Sequence, residues 1–100
     1  MPPASSTNGS DVASWRPARK LPRRDIGGET VLVDSRQRRI HATNRVGGVV
    51  WACVERGASL DEMIRDVVAR FRVDEGQARA DVERFCAELE AAGLVEKVSA

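Results

Sequence analysis

Residues 39–54 read Arg39-Ile40-His41-Ala42-Thr43-Asn44-Arg45-Val46-Gly47-Gly48-Val49-Val50-Trp51-Ala52-Cys53-Val54, and the fold turns on a change of apolar spacing inside them. From Arg39 to Ala42 polar and apolar residues alternate, the period of a half-buried strand. From Val46 the spacing becomes i, i+3, i+4, i+7, i+8 through Val49, Val50, Cys53 and Val54, a single helical stripe. Thr43 or Asn44, between the two patterns, has the side chain that caps a helix start. A strand therefore runs straight into a helix. In this register Ile40 and Ala42 face the core, while Arg39 and His41 face out. Gly47 and Gly48 each weaken the helix by about 1 kcal/mol relative to Ala, so close approach of another backbone is expected there. Trp51 lies beside the stripe and is expected to pack at the core edge.

Toward the N-terminus the texture stays extended. Thr30-Val31-Leu32-Val33 has high β propensity, and Asp34-Ser35-Arg36-Gln37 joins it to the next strand as a hairpin loop. Ile26-Gly27-Gly28 is a turn. Before it, Leu21 sits among Arg19, Lys20, Arg23 and Arg24, and Pro22 permits only an edge or irregular strand. Residues 1–14 hold too little apolar surface to offset the entropy of ordering, and are read as a disordered arm ahead of a domain over residues 15–100. Trp15 is expected to dock on that domain.

Toward the C-terminus two further helices follow. Gly57 closes the first helix where a left-handed residue is wanted. Ser59-Leu60-Asp61-Glu62 is a capping box, and Leu60, Met63, Ile64, Val67, Val68 and Phe71 form the next stripe. Asp74-Glu75-Gly76-Gln77 repeats the capping pattern before Ala78, Val82, Phe85, Cys86 and Leu89, and Gly93 stops the helix, with Leu94 and Val95 folding back over its end. The predicted class is α+β, winged helix-turn-helix-like: an N-terminal three-stranded antiparallel sheet followed by three helices.

Composition narrows the function. One hundred residues make one small domain with little room for a deep catalytic cavity. Residues 1–39 carry eight basic groups against four acids, and residues 45–100 eight against eleven, so a basic front precedes an acidic back. The glycine pairs lack a phosphate-loop or dinucleotide pattern. His41 is the only histidine, and Cys53 and Cys86 fall on core stripes, where a reduced thiol acts as a small hydrophobe. Neither a nucleophilic site nor metal-ligand spacing is assembled. The expectation is no enzyme, no cofactor and no metal. With no apolar run long enough to span a membrane and no secretion signal, the expected place is the cytoplasm, without membrane partners.

From about Pro17 to Val98 the chain resembles the PqqD-like family, named for a protein of pyrroloquinoline quinone biosynthesis and also called recognition elements of ribosomally made, modified peptides. The resemblance rests on the hairpin ending Ala42-Thr43-Asn44, on Trp51, and on Gly57 before Ser59-Leu60-Asp61-Glu62. It closes with Asp81-Val82-Glu83-Arg84-Phe85-Cys86-Ala87-Glu88-Leu89 and Gly93-Leu94-Val95. Ala42 stands where the family usually has Leu, and Gly47-Gly48 in the first helix is a second departure. The resemblance implies a non-catalytic protein that binds the leader segment of a precursor peptide and presents it to a separate modifying enzyme. That enzyme would be a leader peptidase with a cyclase, as in lasso-peptide pathways, or a radical-SAM enzyme. The leader would add as a strand beside Arg38, Arg39, Ile40, His41 and Ala42, with Arg79, Val82, Glu83, Cys86 and Glu90 of the third helix as the opposite wall.

Two other readings stand beside this one. A winged helix can bind DNA, but the third helix carries Asp81, Glu83, Glu88 and Glu90 against Arg79 and Arg84, and acids facing phosphate cost affinity, so no nucleic-acid partner is expected. An oligomerising subunit would use the same strand edge to pair with a copy of itself; the expected state is a monomer or weak dimer.

Overall fold

Asn44 is the joint between the two periodicities. Its backbone is extended and its side-chain oxygen accepts the Gly47 N–H at 2.8 Å, satisfying a donor that a helix start leaves open. In the computed structural model, which describes residues 13–98, Asn44 joins strand β4 (Arg39–Thr43) to helix α1 (Arg45–Glu55). Upstream lie β1 (Ser14–Pro17), β2 (Arg23–Ile26) and β3 (Glu29–Asp34). Downstream lie α2 (Leu60–Phe71), α3 (Glu75–Ala91) and β5 (Val95–Val98).

Strands β2, β3 and β4 form an antiparallel sheet in that order, which leaves β2 and β4 at its two edges. Three helices follow, as the α+β, winged-helix-like reading expects. Leu21 is buried but lies outside any strand, and β2 begins two residues after it. A second sheet was not foreseen: β1 pairs antiparallel with β5, Ser14 opposite Val98 and Pro17 opposite Val95. Ala13 accepts the Leu60 N–H at 2.7 Å, so residues 13 and 14 of the expected arm pack with the domain. The rest of the expected arm, residues 1–12, lies outside the described residues. Trp15 does dock, 6% exposed, its indole N–H donating to Glu90 Oε2 at 2.7 Å.

Both halves of the Ser59–Glu62 capping box form. Asp74 caps α3 by accepting the Gln77 N–H, but the Gln77 side chain reaches forward to Asp81 rather than back, so the second half of that box is absent. The stripes of the three helices meet in one core that includes Leu32, Val50, Val54, Met63, Val67, Val82 and Leu89. Trp51 is inside it at 1% exposure, not at its edge, because its indole N–H donates to Glu55 Oε2 one turn along the same helix. Among the described residues no helix is long and apolar enough to cross a membrane.

Candidate functional site

The face that each β4 side chain presents is set by the loop before it. Asp34 is fully buried, and its carboxylate accepts from Arg19 at 3.1 Å and from the Gln37 side chain at 2.8 Å. The Gln37 amide also donates to the Ala92 carbonyl at 3.2 Å, which ties the hairpin loop to the end of α3. Burial alone would raise the Asp34 pKa, but the Gln37 bonds and the Arg19 charge outweigh it and hold the carboxyl below its ordinary value. Arg38 then takes the left-handed conformation, φ 57°, and places Arg39 opposite Asp34. Arg38 is thus a turn residue rather than the start of the strand.

That pairing puts His41 opposite Leu32 and Thr43 opposite Thr30, on the buried side. Ile40 and Ala42 point outward, Ile40 being 71% exposed. The expected facing of β4 is therefore inverted. The facing follows from the pairing with β3: Leu32 and Thr30 face the core, so His41 and Thr43 opposite them do too, and the residues between them face out. His41 is half-buried, with its Nε2 lacking a hydrogen-bond partner.

Between the β4–α1 junction and α3 runs a groove of about 350 Å³. Ala42, Thr43 and Asn44 form one side, and Val46 and Gly47 line it from the start of α1. The other wall is Asp81, Arg84, Phe85 and Glu88, spaced i, i+3, i+4, i+7 along one face of α3. Gly47 is what admits Phe85: a Cβ there would lie 2.8 Å from the Phe85 ring and 2.8 Å from Thr43 Cβ. Gly48 would meet Thr30 Oγ1 at 2.7 Å. Side chains, rather than the expected backbone, account for both glycines.

Of the residues expected at this site, the structure brings Ala42 into the groove and sets Arg39 and Ile40 on the exposed edge strand. It does not place the expected helix wall there. Val82 and Cys86 are core, at 0% and 2% exposure. Glu83, Cys86 and Glu90 border a different, smaller cleft of about 180 Å³ beside Trp15 and Lys97, and Arg79 pairs with Glu83 at 3.7 Å. The residues of α3 that face β4 across the groove lie one face around the helix. Their sequence signal was Phe85, the largest apolar group at the margin of the stripe.

Neither thiol is poised for chemistry. Burial, reinforced by the nearby Glu90 charge, pushes the Cys86 pKa up to about 12. Burial also raises that of Cys53, which donates to Asp66 Oδ2 at 3.4 Å. Both stay protonated at neutral pH, and the thiol is the weak form of the nucleophile. Among the described residues no group of three His, Cys, Asp or Glu side chains is placed to hold a metal ion.

Residues 29–95 match the family described as coenzyme PQQ synthesis protein D (PqqD). Among the curated proteins none matches the chain. Among solved structures, the chain is similar to TbiB1 in complex with the TbiA(beta) leader peptide, with a TM-score of 0.75 and 21% sequence identity, over 85% of this chain and 99% of that one. At that identity the likeness establishes a shared fold.

Proposed function

The chain belongs to the PqqD family, and on that premise we propose that it is a non-catalytic recognition protein for the leader segment of a ribosomal precursor peptide. The observation that carries this reading is the edge of β4, without a neighbouring strand among the described residues and facing Phe85 of α3 across the groove. An extended leader adds to that edge through main-chain hydrogen bonds, and alternate side chains enter the cleft over Val46 and Phe85. The similar structure, TbiB1, is in complex with a leader peptide, which supports the same use of the fold. The bound leader is then presented to a separate modifying enzyme, a leader peptidase with a cyclase or a radical-SAM enzyme, in the cytoplasm.

The site residues on this reading are Arg39, Ile40 and Ala42 on the strand and Asp81, Arg84, Phe85 and Glu88 on the helix. Arg39 also guards the edge against self-pairing, which favours a monomer. DNA binding is disfavoured by the exposed acids Glu83, Glu88 and Glu90 on the helix that would approach phosphate.

The test is a titration of the full chain with the labelled leader encoded by an adjoining precursor gene. Binding is expected to saturate, and Phe85→Ala and Arg39→Glu are each expected to weaken it about tenfold, some 1.4 kcal/mol. Absence of saturable binding to the leader of every adjoining precursor gene would sink the reading.

A further inference from the structure

The second edge of the three-stranded sheet has a cleft of its own. It measures about 420 Å³, lies between β2, α1 and α2, and shares no lining residue with the groove at β4. Four arginines from separate places in the chain converge on it: Arg23, Arg45, Arg56 and Arg70, against two aspartates, Asp25 and Asp66. Two of the cations are already engaged, Arg23 with Glu55 at 3.2 Å and Arg56 with Asp66 at 3.2 Å. The guanidinium groups of Arg45 and Arg70 have no ion-pair or hydrogen-bond partner among the described residues.

Arg45 is also in an unfavourable place. It opens α1, whose first turn contains no acid, so its charge stands against the positive end of the helix dipole. An incoming carboxylate would offset both. Between the arginines lie Val49, Ala52 and Phe71, each only half-buried. An apolar patch with an aromatic ring, bordered by arginines, has the composition of a protein interface core and rim. A free inorganic anion would leave that apolar surface unused.

We infer that this cleft is the docking site for an acidic segment of the partner modifying enzyme, carrying carboxylates for Arg45 and Arg70 and an apolar side chain for the surface at Phe71. The inference rests on the leader-recognition reading and assigns the second partner its own surface. Because the clefts lie at opposite edges of one sheet, β2 and β4, leader and enzyme occupy the chain together. The adjacent glycines of α1 serve one cleft each, Gly47 lining the groove at β4 and Gly48 the cleft at β2.

The experiment measures two affinities of the full chain: for the labelled leader, and for the purified modifying enzyme encoded beside it. Arg45→Glu/Arg70→Glu is expected to weaken enzyme binding at least tenfold and to leave leader binding within twofold. Arg45→Gln/Arg70→Gln, which only neutralises the charge, is expected to give a smaller loss. Both positions are exposed, and a thermal melt of each variant checks that the fold is kept. Wild-type binding to the enzyme is expected to weaken between low and high salt. Wild-type leader binding without enzyme binding would overturn this inference alone, as would unchanged enzyme binding by the Glu variant. An equal loss of leader affinity would assign the cleft to the leader instead. Salt-sensitive binding of a short DNA duplex that needs Arg45 and Arg70 would also overturn it.

Discussion

Asp34 shows how one residue sets the geometry of a site it does not touch. Its buried carboxylate gathers Arg19 and Gln37, and Gln37 in turn holds the hairpin loop to Ala92. With its folded pKa held below the ordinary value of 3.8, Asp34 contributes stability that is fully present above that value. The contribution is lost as pH falls through the lower folded pKa. Thermal melts of Asp34→Asn are therefore expected to lie below wild type at neutral pH, and the gap is expected to close as the pH drops below about 3.8. A gap that stayed constant down to acid pH would show that the carboxylate charge contributes nothing.

The elements are individually ordinary, and the groove comes from how three of them approach. Helix α1 can lie beside Phe85 of α3 and Thr43 of β4 only because position 47 has no Cβ. Gly47→Ala raises intrinsic helix propensity by about 1 kcal/mol, yet it inserts a methyl where two neighbours already stand at 2.8 Å. Overpacking of this kind costs about 1–3 kcal/mol. The variant is expected to be no more stable than wild type in urea unfolding, and to bind the leader at least several-fold more weakly because Phe85 must move. A gain in stability with unchanged leader affinity would mean the groove does not need that close approach. Element boundaries were legible in the sequence because capping is local: Asn44, Ser59, Asp74, Gly57 and Gly93 act within a few residues of themselves. Strand facing was not, because it depends on which residues of β3 stand opposite β4.

At the scale of the whole molecule, the chain closes on itself. Strand β1 pairs with β5 some 80 residues away, and Trp15 is sealed under that closure by its bond to Glu90. A domain this small has a thin stability margin, so a single large buried ring at the closure matters. Trp15→Ala is expected to cost about 3–5 kcal/mol, which lowers the melting temperature by roughly 12 °C or more at this chain length. Trp15→Phe, which loses the hydrogen bond to the carboxylate and part of the ring but keeps an aromatic group there, is expected to cost less, about 2 kcal/mol. Equal melting temperatures for Trp15→Ala and wild type would show that the closure adds nothing.

The sequence by itself determined the α+β class, the order of the hairpin strands and three helices, their caps and the apolar stripes that form the core. These follow from periodicity and from bonds between near neighbours, which a linear reading contains. Its family resemblance also led to the edge strand and the third helix as the proposed place of binding. Only the tertiary structure decided which side chains line that place. It turned Ile40 outward and His41 inward, kept Val82 and Cys86 off the groove, and put Asp81, Arg84, Phe85 and Glu88 on it. It also joined β1 to β5 and gathered four distant arginines around one cleft. The physical reason is the same in each case: strand facing, helix rotation and the meeting of remote side chains are fixed by packing between elements, and a change of one residue in a turn or one face on a helix leaves the local pattern as it was.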